Sequence, residues 1–145
     1  MPNISGAFTA TVTMQTVLSC NDQPNHDLAL AELHATQKSP DPDWNNCRLT
    51  YSSIADIANG QGKQHGYYVN EHADGSRDMG SFEGRIKMSG NEMTSEGTFT
   101  INSGTGKFQG IRGSGTWKAR NVSPTQIEMS WSGSYEIAAK AGHAA

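Results

Sequence analysis

The residues best suited to acid–base chemistry lie between Leu28 and Gln37, where a glutamate and a histidine share the parity of two leucines. Glu32 and His34 follow Leu28 and Leu30 at intervals of two. If this segment is a strand whose leucines point inward, both polar side chains point inward as well. A buried carboxylic acid or imidazole can transfer a proton near neutral pH. Glu32 and His34 are therefore the predicted catalytic residues.

Other polar and aromatic side chains could hold the oxygen atom of a substrate. Tyrosine hydroxyls and asparagine amides donate hydrogen bonds to a carbonyl or an oxyanion, and large aromatic rings shape an apolar pocket. Tyr68 and Asn70 alternate with Tyr67 and Val69, and this spacing leaves open which set points inward. The alternative is that the polar residues face solvent or form structural hydrogen bonds. The predicted substrate-binding residues are Tyr51, Tyr68, Asn70, Phe99, Trp117 and Trp131.

Residues 103–117, SGTGKFQGIRGSGTW, superficially suggest a phosphate-binding loop. A Walker A loop needs glycine five residues before Gly106 and serine or threonine after Lys107, but Ile101 and Phe108 stand there. A dinucleotide fingerprint also fails, because its third glycine comes one residue late and a strand pattern follows. The stretch is predicted to be a corner between strands, with Phe108 and Ile111 packed inward. No nucleotide cofactor is expected.

Composition and charge make several other classes of protein improbable. The net charge is −3 over 145 residues with scattered lysines and arginines, which disfavours nucleic-acid binding. No apolar run approaches the roughly 20 residues that span a bilayer. The N-terminus has no signal-peptide pattern, so a cytoplasmic location is expected. Neither the histidines nor Cys20 and Cys47 have the spacing of a metal motif; two reduced thiols are expected, and a single disulfide is the alternative for an exported chain.

Alternation with a period of two runs through most of the chain and predicts about eight strands. In the first of them Phe8, Ala10, Val12 and Met14 share one parity. Short turns, including Asn59-Gly60 and Asp74-Gly75, join neighbouring strands. The pattern predicts one all-β domain over residues 1–137, a closed antiparallel up-and-down barrel, followed by a disordered tail at 138–145. A β-sandwich is the alternative fold, and a short helix is the alternative for residues 28–37.

The segment Gly97-Thr98-Phe99-Thr100-Ile101, followed by the glycine-rich residues 103–115, resembles the signature of allene oxide cyclase-like barrels. The resemblance is greatest to bacterial members of unassigned function, and it covers residues 97–117. It implies an eight-stranded barrel of the calycin type with an apolar lumen. In the plant enzymes of this family the lumen cyclises an unstable fatty-acid epoxide without a cofactor. The catalytic residues of that family are not placed on this sequence.

Three functions are compatible with these patterns. The first is a cofactor-independent cyclase, isomerase or lyase that acts on a small hydrophobic oxygenated molecule inside the barrel. The second is a non-catalytic carrier of small hydrophobic ligands. The third is a structural barrel whose interior is filled. The expected partner is thus a small hydrophobic molecule, and assembly into a homo-oligomer stays open.

Overall fold

The chain forms a closed antiparallel barrel in which every strand pairs with the next and the last pairs with the first. The structure is a computed structural model that describes residues 2–138; the predicted tail lies outside the described residues from 139 onward. The barrel confirms the predicted up-and-down fold and excludes the sandwich. Its strands are β1 (Asn3–Ser19), β2 (His26–Thr36), β3 (Arg48–Ala58), β4 (Gln61–Glu71), β5 (Arg77–Ser89), β6 (Glu92–Gly104), β7 (Ile111–Ser123) and β8 (Gln126–Ile137).

A β-bulge in β1 changes which side chains point into the barrel. The pairing of β1 with β2 shifts between Val12 and Met14. An extra residue in one strand reverses the side-chain parity beyond it. Val12 therefore packs against the core, whereas Met14 is 60% exposed. The prediction that Met14 shares the inner face with the preceding apolar residues is wrong for this reason.

The second predicted strand is a strand and not a helix, but its faces are opposite to those predicted. Leu33 is 2% exposed and pairs with Val12 on the inner face, while Leu30 is 54% exposed. Ala31 and Ala35 also pack against the core. The inner face of β2 thus carries small residues and one leucine, because the aromatic side chains of other strands fill the space opposite.

The glycine-rich stretch is a barrel corner, as predicted. A single 3-10 turn, Gly106–Phe108, links β6 to β7. Gly106 and Gly110 have positive φ angles of 60° and 85°, which favour glycine. Phe108 and Ile111 are 2% and 0% exposed, so both pack inward as predicted.

One end of the barrel is closed by aromatic packing. Trp44, in the β2–β3 connection, lies 5.1 Å from the ring of Phe108 and 5.6 Å from His72, measured between ring centroids. Tyr135 packs on the same tryptophan at 5.1 Å. These contacts join three separate connections and the last strand into a lid over the lumen.

Two further features follow from the described residues. Cys47 is buried, Cys20 is half-buried at the β1–β2 turn, and both are free thiols. Among residues 2–138, no helix has the length and apolar character needed to cross a membrane.

Candidate functional site

An internal cavity of about 60 Å³ lies in the lumen, beneath the aromatic lid. All six predicted substrate-binding residues line it, and that they bind a substrate stays a prediction. Tyr68 and Asn70 therefore form the inner set on β4, and Tyr67 is 67% exposed on the outside. The remaining lining residues are Ile4, Phe8, Gln37, Trp44, Leu49, Asp78, Phe82, Ile101 and Met129.

Glu32 and His34 do not line the cavity, and the prediction that they point inward is wrong. Their side chains are 41% and 50% exposed on the outer face of β2, where His34 Nε2 lies 3.0 Å from Glu32 Oε1. Because Leu33 takes the inner face between them, both neighbours on the same strand must point outward. They cannot contact a molecule held in the lumen.

A chain of hydrogen bonds crosses the lidded end of the cavity. Trp131 Nε1 donates to Gln37 Oε1 at 2.9 Å, and Gln37 Nε2 donates to Asn70 Oδ1 at 3.2 Å. Asn70 Nδ2 then donates to Asp78 Oδ2 at 3.1 Å. The chain connects four segments that are distant in sequence. It fixes the amide orientations of Gln37 and Asn70, and it presents polar atoms to an otherwise aromatic cavity.

The chain ends at a buried pair of titratable groups. His72 Nε2 lies 2.6 Å from Asp78 Oδ1, and His72 Nδ1 lies 2.7 Å from the carbonyl oxygen of Asp43. Because a carbonyl only accepts, Nδ1 carries a hydrogen. The short contact on the other side therefore holds one proton between Nε2 and the carboxyl oxygen.

The environment of His72 favours its protonated form. Burial lowers the pKa of His72, but the hydrogen bonds to Asp78 and to the Asp43 carbonyl, together with the charge of Asp78, raise it. The charge of Lys107 acts in the lowering direction, and the net pKa lies above the ordinary histidine value. The favoured state is an imidazolium beside a carboxylate whose other oxygen accepts from Asn70.

Among residues 2–138 the Tyr51 hydroxyl has no hydrogen-bond partner, although it is buried and its side chain lines the cavity. The residue is 5% exposed, and its ring packs against Phe8 and Phe82. Burial raises the pKa of Tyr51, so the phenol keeps its proton and can donate. A buried hydroxyl without a partner is costly, and in native proteins such groups call for an explanation. A ligand oxygen in the cavity would supply the missing acceptor.

Two other ionisable groups near the cavity are held in their neutral forms. Burial, followed by the charge of Asp78, raises the pKa of Tyr68 well above its usual value. Burial and the same charge raise the pKa of Cys47 to about 12. A thiol in that state is not a nucleophile at neutral pH. The acid–base capacity of the cavity therefore lies with Asp78 and His72.

Sequence reasoning did not select Asp78, His72 or Gln37. A signal for Asp78 was present, because it shares the parity of the inward Phe82 on the same strand. His72 lies at intervals of two from Tyr68 and Asn70. The spacing alone did not decide whether these three side chains point inward. Gln37 directly follows β2. Side-chain alternation along β2 does not predict its contact with Trp131 on β8. Trp44 lies in a connection, so only the folded barrel places it over the lumen.

No protein-family model and no curated protein sequence matches this chain, so the chemistry of the cavity is the basis on which its function is proposed.

Proposed function

We propose that the barrel binds a small hydrophobic molecule carrying an oxygen atom and isomerises it by proton transfer, without a cofactor. The observation that carries this proposal is the Tyr51 hydroxyl, which lacks a partner in the wall of a cavity that also contains the Asp78 carboxyl group. An oriented donor and a buried acid–base group are the two components that proton transfer next to a carbonyl requires. The resemblance to allene oxide cyclase-like barrels supports chemistry inside a lumen without a cofactor.

The wall of the cavity supports an apolar substrate. Phe99 and Trp131 pack edge to face at a centroid distance of 5.8 Å, and Phe82 and Trp117 do so at 6.0 Å. Rings in such contacts form a rigid surface that excludes water from a bound molecule. The cavity of about 60 Å³ is small, so binding of a six-membered ring requires the non-aromatic lining side chains, such as that of Met129, to move aside.

In the proposed reaction each group has one role. Tyr51 donates a hydrogen bond to the substrate carbonyl and stabilises the enolate oxygen as charge develops there. The Asp78 carboxylate takes a proton from the carbon next to the carbonyl and returns it to the far carbon of the shifted double bond. His72 adjusts the charge of Asp78 through the shared proton. No atom is lost or gained, so the overall reaction is an isomerisation.

Cyclohex-3-enone is a suitable probe, since its conversion to conjugated cyclohex-2-enone is followed by ultraviolet absorbance. We expect tryptophan fluorescence to report its binding and absorbance to report turnover. Tyr51→Phe should weaken binding by about 10-fold, which corresponds to roughly 1.4 kcal/mol. Asp78→Asn should lower turnover by about 100-fold or more while binding persists. Tyr67→Phe, on the outer face, is the matched control and should change neither measurement.

The alternative functions predict different outcomes. Non-catalytic carriage is favoured by the aromatic lining, and it predicts saturable binding of the probe with no turnover. A structural barrel predicts neither binding nor turnover. Turnover that survives both Tyr51→Phe and Asp78→Asn would contradict the roles given to these residues. Circular dichroism of each variant separates a loss of activity from a loss of fold.

A further inference from the structure

Three different metal-ligating side chains meet at the β1–β2 turn, at the end of the barrel opposite the aromatic lid. Cys20 directly follows β1, His26 begins β2, and Asp22 lies between them. The thiol sulfur, a carboxylate oxygen of Asp22 and a ring nitrogen of His26 all lie within 4.8 Å of one another. The backbone of the turn is closed by Cys20 N donating to the His26 carbonyl oxygen at 2.8 Å.

We infer that Cys20, Asp22 and His26 form a binding site for a divalent transition-metal ion of the Zn²⁺ type, with a fourth coordination position open to solvent. Zn²⁺ binds sulfur at about 2.3 Å and nitrogen or carboxylate oxygen at about 2.0–2.2 Å, in tetrahedral geometry. Ligand atoms around such an ion are then roughly 3.2–3.7 Å apart. The observed separations reach this range through a small adjustment of the exposed Asp22 side chain and the half-buried Cys20 and His26 side chains.

The mixed set of donors indicates which ions fit. Ca²⁺ and Mg²⁺ prefer six or more oxygen ligands, which this turn does not offer among the described residues. A thiolate, an imidazole and one carboxylate are the donors that suit zinc. On coordination the Cys20 thiol proton and the hydrogen that His26 Nδ1 directs at Asp22 both leave to solvent, and the two anionic ligands balance the charge of the ion.

A second observation supports the site independently of the ligand cluster. His26 Nε2 lies 2.6 Å from Asp56 Oδ1, while His26 Nδ1 faces Asp22 Oδ1 at 2.7 Å. Metal-bound histidines commonly donate their second ring N–H to a carboxylate, which fixes the orientation of the ring. Asp56 lies on β3 and pairs with Leu28 of β2, two residues after His26. The barrel sheet therefore holds Asp56 next to the His26 ring. The ring is thereby positioned with Nδ1 toward the other two donors.

The surroundings of the turn also favour a cation. The carboxylates of Asp22, Asp27 and Asp56 lie near the Cys20 thiol. Three carboxylates beside one thiol create a negative potential that a divalent ion would reverse. Asp27 Oδ1 accepts a hydrogen bond from the Ser19 hydroxyl at 3.2 Å. Asp22 is therefore the carboxylate that faces Cys20 and His26.

The test uses the untagged, reduced full-length chain with Co²⁺ as a spectroscopic probe and Zn²⁺ as its competitor. We expect one Co²⁺ per chain, with thiolate-to-cobalt charge-transfer absorption in the near ultraviolet that Zn²⁺ abolishes. Cys20→Ser should remove that absorption and weaken Zn²⁺ binding by more than about 100-fold. Asp56→Asn, which leaves all three ligands in place, should weaken it by about 10- to 100-fold.

His34→Gln is the matched control, because His34 is an exposed histidine beside a carboxylate on the same strand. It should leave Zn²⁺ binding unchanged. The inference is overturned if Cys20→Ser binds Zn²⁺ as tightly as the wild type, if no charge-transfer absorption appears, or if His34→Gln abolishes binding. Asp22→Asn, at an exposed position, provides the same test should Cys20→Ser fail to fold.

Discussion

His72 Nε2 and Asp78 Oδ1 lie 2.6 Å apart, and the side chains of both residues are 1% exposed. The folded state holds the pKa of His72 above its usual value, so it binds this proton more tightly than the unfolded chain. The resulting stabilisation is complete below the ordinary histidine pKa of about 6.5 and is lost as the pH rises through the raised folded value. Urea unfolding from about pH 6 to about pH 9 should show a steeper decline for the wild type than for His72→Gln, which keeps His26, a second histidine whose pKa is raised by its hydrogen bonds to Asp22 and Asp56. Parallel pH profiles for both proteins would contradict the assignment.

Substitution of Asp78 should lower the free energy of unfolding much more than substitution of a surface carboxylate. Asp78→Asn leaves His72 buried without a carboxylate, and loss of one member of a buried pair costs about 3–5 kcal/mol in the free energy of unfolding. The control is Asp74→Asn, whose side chain is 51% exposed in the adjoining turn. It should change stability by no more than about 0.5 kcal/mol. Equal effects of the two changes would show that the pair is not the source of the loss.

Removal of the unpartnered Tyr51 hydroxyl should not destabilise the ligand-free protein. The hydroxyl loses its contacts with water on folding and gains no partner in return. Tyr51→Phe is expected to keep or raise the free energy of unfolding, by up to about 1 kcal/mol, since it removes this desolvation cost. Chemical denaturation measures the change, with Tyr67→Phe as control. A loss above about 1 kcal/mol would reveal a hydrogen bond that the hydroxyl makes in the free protein.

Gly115 is required because an aromatic ring occupies the space beside it. A Cβ atom at this position would lie 2.6 Å from the Phe99 ring and would collide with the carbonyl oxygen of Ser132. Gly115→Ala should therefore lower the free energy of unfolding by about 1–3 kcal/mol, as overpacked cores do. It should also displace Phe99 and weaken binding in the cavity. The outward neighbour Ser114→Ala is the control, and an equal Tm for the two variants would refute the steric explanation.

The outer-face pair Glu32 and His34 should be dispensable for chemistry in the lumen. Both side chains are largely exposed, and an ion pair of this kind contributes about 0–1 kcal/mol. Glu32→Gln and His34→Ala should keep probe binding, turnover and stability close to wild-type values. Steady-state kinetics with cyclohex-3-enone measures this. A large loss of turnover in either variant would place the active site outside the barrel.

The sequence contained enough to predict the fold and six of the fifteen side chains that line the cavity. Strand periodicity and short turns are local properties, and a sequential order of strands permits few ways to close a sheet. Phe99, Trp117 and Trp131 lie on the consecutive strands β6, β7 and β8 and line the cavity, as their alternation with polar residues indicates. The corner at residues 106–110 followed from glycine, whose backbone tolerates positive φ.

The sequence alone determined that this chain is an eight-stranded barrel with an aromatic interior, whereas only the tertiary structure decided which polar groups reach that interior. Parity has a period of two, so taking Leu28 and Leu30 as the inner face of β2 was enough to place Glu32 and His34 on the wrong side. Closure of the barrel then joined Trp131, Gln37, Asn70 and Asp78 across the lumen. Contacts of that kind depend on strand register and on loops that return to the barrel end. These are set by packing of the whole chain and not by any local pattern.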